Sequence, residues 1–236
     1  MTSGFISGQL DGVRGLITGR VISNFAWQHM KSATLFRNHI IRLETEHQRE
    51  PVGRFFEEIR SYASACVMAT GASLEALINE CFIAHTSPLR AKLANFEDDF
   101  WGKLNTAGTR RYGGIEGCRV LDKYQHALTL MNAAPFAETS SPYREAAALV
   151  EFRNALTHHK PTWDAQRQRV TDLVGQLTGQ FPLSPFMSPG NDFISERCMG
   201  AGCASWCVSA AMQFMSEFEA RTHLEPDKFA AIKALL

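Results

Sequence analysis

Long apolar runs are missing from this chain. No stretch reaches the ~18 apolar residues that a membrane-spanning helix needs. The opening MTSGFISGQLDG has neither a basic head nor a continuous apolar core, so the sequence predicts no export signal. An excess of charge is also lacking: Lys+Arg and Asp+Glu number 24 each, for a formal net charge of zero. Proteins that track long nucleic acids carry a basic excess. Any contact with nucleic acid is therefore expected to be local, short or built from more than one chain. The 17 glycines contain no G-x-x-x-x-G-K-[ST], which argues against a Walker-type phosphate loop. Of the 6 cysteines, Cys198, Cys203 and Cys207 share one segment with Ala201, Ala204, Trp206, Ala210 and Ala211, all packing residues. Zinc sites want paired C-x(2–4)-C elements with a turn, or histidines at matching spacing. These cysteines read instead as small buried thiols, reduced in a cytoplasm. Glu97, Asp98 and Asp99 are neighbours on a predicted helix, where adjacent positions do not converge on an ion. No metal and no cofactor is expected. Finally, no βαβ rhythm or alternating strand series appears, which leaves the all-α class.

What is present is apolar periodicity. With 236 residues and 45% hydrophobic content, the chain can bury a substantial core. Residues 1–23, with Gly4, Gly8, Gly12, Gly15 and Gly19, read as an N-terminal arm, because glycine at that density disfavours a stable helix. Residues 24–236 read as one helical domain, an antiparallel bundle. Its helices are predicted over 24–49, 52–86, 89–104, 119–131, 141–159 and 195–221, with a short one over 226–236. Residues 164–180 are helical in part, and the proline-punctuated 181–190 is apolar enough to pack on the core. The loop 105–117 carries Arg110-Arg111-Tyr112-Gly113-Gly114, the kind of residues a single-stranded contact uses and an ordinary surface loop also contains.

The chemistry concentrates in residues 141–163, SPYREAAALVEFRNALTHHKPTW. Ser141 is placed to cap a helix whose first position is Pro142, with Glu145 in the first turn. Ala146, Leu149, Phe152 and Leu156 recur at helical spacing as one buried stripe. Pro161 ends the helix near His159. At about 100° per residue, Glu151, Asn154 and His158 fall within an arc of about 60° away from that stripe. Arg153 lies about 140° from His158, so its side chain must curl to join them.

A guanidinium, an amide and an imidazole at one helix end suit phosphodiester chemistry. Arg offers a permanent, planar donor fork for phosphate oxygens. His exchanges protons near neutrality. Asn154, four residues before His158, is within reach of a ring nitrogen and would fix its tautomer. His159, about 100° further round, points toward the core side. The same residues also make an ordinary helix end, with Arg in a surface ion pair and His⁺ complementing the helix dipole. Upstream, Glu75 and Asn79 share one face of the 52–86 helix in an otherwise apolar segment. If buried they need partners, for which Arg153 and Asn154 are the natural candidates in a core where the two helices pack together; an ordinary exposed Glu-Asn pair fits the spacing as well. Gly71, mid-helix, marks a close contact or a kink.

Arg153-Asn154-x-x-x-His158 resembles the R-x(4–6)-H signature, often RN-x(3)-H, of the HEPN superfamily (higher eukaryotes and prokaryotes nucleotide-binding). The stretch 72–80, ASLEALINE, is similar to the SLEAFINE helix of many bacterial members, and Lys123-Tyr124 and Lys160-Pro161 also match in order. The resemblance covers about residues 51–221. It implies a helical, usually dimeric protein, in many cases a metal-independent endoribonuclease and in others an inactive partner. Arg153, Asn154 and His158 would then be catalytic, with Glu75, Asn79 and His159 supporting and Arg110, Arg111 and Lys160 touching RNA. Attack of the ribose 2′-OH calls for two proton-transfer groups, and each chain offers one well-placed imidazole. A homodimer with the site at its two-fold axis supplies both. A toxin or phage-defence role, with an antitoxin or defence-system partner, follows from the same resemblance. The alternative is a non-catalytic helical interaction or nucleotide-binding module.

Overall fold

The structure, a computed structural model, describes residues 25–83, 117–158 and 167–222. The N-terminal arm, the predicted helices 89–104 and 226–236, and nearly all of the loop 105–117 lie outside the described residues. Within them the chain is all-helical: α1 (Phe25–Glu46), α2 (Arg54–Ile83), α3 (Val120–Leu130), α4 (Tyr143–Thr157), α5 (Arg167–Leu177), a π-helical turn (Phe193–Arg197) and α6 (Ala201–Thr222). No helix is long and apolar enough to cross a membrane among the described residues.

α1 and α2 form an antiparallel pair. Partners on α2 fall in number as those on α1 rise: Glu80 Oε1 accepts from the N–H groups of Phe25 (2.7 Å) and Ala26 (3.0 Å), Ser73 Oγ donates to Ala26 O (2.8 Å), and His39 Nε2 meets Glu58 Oε1 at 2.9 Å. Glu80 thus satisfies two of the N–H groups that a helix start leaves open. The small residues of α2 let other helices approach, so that Cys66 Sγ reaches Ala33 O on α1 (3.4 Å) and Ala204 O on α6 (3.7 Å). The buried stripe of α2 runs through Phe56, Ile59, Ala63, Cys66, Val67, Leu74 and Ile78, whereas Ala76 and Leu77 are only half-buried.

α6 is the centre of the core. Cys203, Ala204, Cys207, Val208, Ala211, Phe214, Met215 and Phe218 are all buried, which covers most of its circumference. A helix apolar on so many sides must be enclosed, and α6 packs on α1, α2, α3 and α4. Tyr124 of α3 is fully buried edge-on to Phe214 (4.8 Å) and Phe218 (4.7 Å), its hydroxyl donating to Leu74 O at 2.7 Å. Arg221 pins the segment leading to α4. It lies 4.4 Å over the Phe136 ring and donates to Ala134 O and Pro135 O.

Two local expectations are corrected. The sequence predicts one helix over 195–221, but the π-helical turn ends at Arg197 and α6 begins only at Ala201. Cys198 therefore precedes α6 rather than lying on it. The break accommodates the loop 181–190: Ser184 N–H donates to Arg197 O (2.7 Å), Phe181 is buried against Trp206 (5.4 Å between rings), and Gly202 lies directly under the Pro182 carbonyl. Glu44 of α1 reaches over to cap α6, accepting from Ala201 N–H at 2.8 Å. Burial pushes its carboxyl up from the ordinary value, and the Ala201 N–H pulls it part of the way back. The second correction is at α4, which starts at Tyr143 after Pro142 without any side-chain cap from Ser141.

Free thiols populate this core. Cys66, Cys198, Cys203 and Cys207 are buried, and Cys203 Sγ stands 3.9 Å from Cys207 Sγ. Burial pushes the Cys66 thiol up to about 12 and raises Cys207 as well. A hydrogen bond with Cys203, and then burial, raise Cys198.

Candidate functional site

α4 is seated by Tyr143, Ala146, Ala148, Leu149 and Phe152, which are buried as the stripe requires, while Leu156 is half-buried. These side chains press the helix onto α2 and α6, and that orientation decides where the polar groups go. Arg153 turns toward α2. Its Nη2 donates to Glu75 Oε2 at 2.6 Å, with the Arg side chain 18% exposed and the Glu side chain 42%. This is the pairing expected from the sequence. The stem of Arg153 lies across Gly71, where an added Cβ would stand 3.0 Å from Arg153 Cγ and 3.2 Å from its Nε. Gly71 therefore marks a close contact, and an added side chain would require the Arg153 stem to give by a few tenths of an ångström. Arg153 Nε is buried without a hydrogen-bond partner.

Gly71→Ala is a direct test of that contact. In an unobstructed helix interior the change gains about 1 kcal/mol. Here the new methyl is expected to push the Arg153 stem away and offset that gain. A double-mutant cycle between Arg153 and Glu75, followed by urea unfolding, should show the coupling fall from about 0.5–1 kcal/mol toward zero in the Gly71→Ala background. An unchanged coupling would mean that the side chain reroutes without cost.

Asn79 does not pair with Asn154. Its Oδ1 accepts from Lys123 Nζ at 2.9 Å, and Lys123 is only 4% exposed. A buried ammonium needs acceptors, and α2 supplies this one from the turn after Glu75. Lys123 appears in the sequence only as part of the Lys-Tyr resemblance, and nothing in its spacing reveals that Asn79 is its partner. Glu151, on the motif face, accepts from Gln176 Nε2 of α5 at 3.1 Å, a second contact that the spacing does not reveal.

Asn154 and His158 are exposed, His158 as the C-cap residue of α4 with its N–H donating to Asn154 O at 2.9 Å. The expected bond from the Asn154 amide to the His158 ring is not formed, and neither side chain has a hydrogen-bond partner among the described residues. Thr157 Oγ1 instead bonds back to Arg153 O at 2.8 Å and lies 3.4 Å from Met68 Sδ. His159, Lys160, Arg110 and Arg111 lie outside the described residues. What the folded chain brings together is thus Arg153 with Glu75, while Asn154 and His158 stay exposed at the same end of α4. Such an end can offer a charged donor fork, neutral hydrogen bonds and a proton carrier. No three His, Cys, Asp or Glu side chains are gathered so as to hold a metal ion among the described residues. No protein-family model, curated protein or solved structure matches this chain.

Proposed function

We propose that the chain is an endoribonuclease of the HEPN type, cleaving RNA at Arg153, Asn154 and His158 without a metal ion. The observation that carries the reading is the end of α4, where Glu75 orients the Arg153 guanidinium and the Asn154 and His158 side chains on the same helix end are exposed. In the reaction the ribose 2′-oxygen bonds to the adjacent phosphorus as the bond from phosphorus to the 5′-oxygen breaks. The 2′-OH proton leaves to a base and the 5′-oxygen takes up a proton, giving a cyclic phosphate and a 5′-OH. His158 serves one of those proton transfers. Arg153 stabilises the charge growing on the phosphoryl oxygens, and Glu75 holds it in place. The second imidazole comes from a second copy of the chain, with both sites lining one cleft on a two-fold axis. Two copies also concentrate arginine in that cleft while each chain stays neutral. A cytoplasmic toxin or defence effector, held in check by an antitoxin or defence-system partner, is the setting this activity suits.

The competing reading is a non-catalytic helical module. It is favoured by the 2.6 Å engagement of Arg153 with Glu75, which already commits the guanidinium to a helix–helix tie. Incubation with a labelled RNA pool in EDTA separates the two. Wild type is expected to leave cyclic-phosphate ends, and His158→Ala and Arg153→Ala should each lose cleavage by about 100-fold or more with far-UV circular dichroism intact. No cleavage by wild type would leave only the module, and cleavage undiminished in both variants would sink the assignment to Arg153 and His158. Mixing His158→Ala into wild type under subunit exchange should lower activity more than dilution does, because a mixed dimer keeps one imidazole where two are needed, and a fully active monomer in sedimentation would remove the composite site.

A further inference from the structure

Lys123 is the one charged residue that is buried among the described residues, at 4% exposed. Its ammonium has three N–H donors and a single acceptor, the neutral amide of Asn79 at 2.9 Å. No carboxylate stands within ion-pair distance of it among the described residues. Glu80, next to Asn79 on α2, is turned to the N–H groups that open α1. Packing does not call for a charge here, since an apolar side chain of similar volume in place of a buried ion is often neutral or stabilising. Departures from that rule concentrate at functional sites. The place of Lys123 on α2 shows which site. Asn79 follows Glu75 by four residues, so the two share one face with Cβ atoms about 5–6 Å apart. Glu75 in turn holds Arg153 at 2.6 Å. One turn of α2 thus gathers two cations, Arg153 and Lys123, around one carboxylate, Glu75. The local balance is positive in a chain whose formal net charge is zero.

We propose that Lys123 is a positioning residue that offsets the charge of Glu75, so that Arg153 meets an RNA phosphodiester as an uncompensated cation. The inference rests on the endoribonuclease reading for its substrate and adds a residue from outside the α4 motif. Taken alone, the Arg153–Glu75 pair is neutral, and Glu75, 42% exposed on its side chain, repels the phosphate that Arg153 draws. Glu75 orients the guanidinium, and Lys123 cancels the charge that this orientation brings in. Lys123 stays behind Asn79 and touches no substrate. Its field acts across a few ångströms of protein interior, where a charge is screened far less than in water.

Binding of an RNA octamer methylated at every 2′-oxygen tests this without cleavage, because that octamer has no 2′-OH to attack. Lys123→Met keeps the length of the side chain and removes its charge. The variant should melt at the wild-type temperature or above, since Asn79 is half-buried and can turn to water. It should bind the octamer about fivefold more weakly at low ionic strength. Adding Glu75→Gln removes one negative charge for the positive charge lost and keeps a side-chain oxygen for Arg153. The double variant should regain wild-type affinity, a recovery that a packing role for Lys123 does not produce. Wild-type affinity in Lys123→Met, or a loss that Glu75→Gln leaves in place, would overturn the inference. So would the absence of octamer binding by wild type at millimolar concentration. A wild type that binds in the expected pattern but leaves unmethylated RNA uncut would remove the nuclease and keep the role of Lys123 in holding a phosphodiester.

Discussion

Gly202→Ala is expected to cost about 3 kcal/mol or more of stability, the upper range for a side chain forced into a filled core. The added Cβ would run into the Pro182 carbonyl oxygen and carbon, which are backbone and cannot rotate out of the way. Nor is the segment free to shift as a whole. Ser184 N–H is tied to Arg197 O and Phe181 is buried on Trp206, so lifting Pro182 disturbs contacts on both sides. Urea unfolding should show a lower midpoint at unchanged slope. Gly175→Ala is the control: it meets open space in the interior of α5 and should gain up to about 1 kcal/mol. A Gly202→Ala protein as stable as wild type would mean that the crossing loop yields freely.

Phe152→Ala should be nearly as severe, about 3–5 kcal/mol. Phe152 is fully buried on the inner face of α4. Its ring keys the helix to the core directly beside Arg153, so truncation leaves a cavity under the very turn that orients the guanidinium. Phe152→Leu refills most of that volume and should cost less than about 1.5 kcal/mol. Chemical unfolding of the two variants side by side separates the loss of volume from the loss of an aromatic ring. If Phe152→Ala loses less than 1 kcal/mol (about a third of the low end of that range), α4 is held by its termini rather than by its stripe.

Much of the α4 architecture is legible in the sequence because it is local. Ala146, Leu149 and Phe152 repeat at helical spacing and are buried, and the helix stops at Thr157, close to where Pro161 demands. The Arg153–Glu75 pair is legible only if the two helices are taken to pack as a core pair, since spacing alone leaves an ordinary exposed Glu75 equally open. The break before α6 is hidden because its causes are remote. Gly200 and Gly202 look like weak helix residues until the loop 181–190 crosses them, and the cap on Ala201 comes from Glu44, 157 residues earlier. Lys123 and Asn79 escape notice likewise, since only the docking of α3 on α2 makes them neighbours. On α2 the apolar positions are so numerous that spacing alone does not fix the phase. Leu74 and Ile78 take the inner face ahead of Ala76 and Leu77.

The buried thiols give the molecule an internal clock for its own breathing. Burial pushes the Cys66 thiol up to about 12, which disfavours the thiolate, the form that reacts. Cys66 and Cys207 are closed in by the helices around them. An alkylating reagent can consume them only during the moments when α6 parts from α1 and α2. Cys81 and Cys118 are half-buried and need no such parting. Reaction at the inner sulfurs therefore counts openings of the core, and the outer pair marks the start of the count. A ligand that clamps the helices would be seen as a slower clock before any change in structure could be measured.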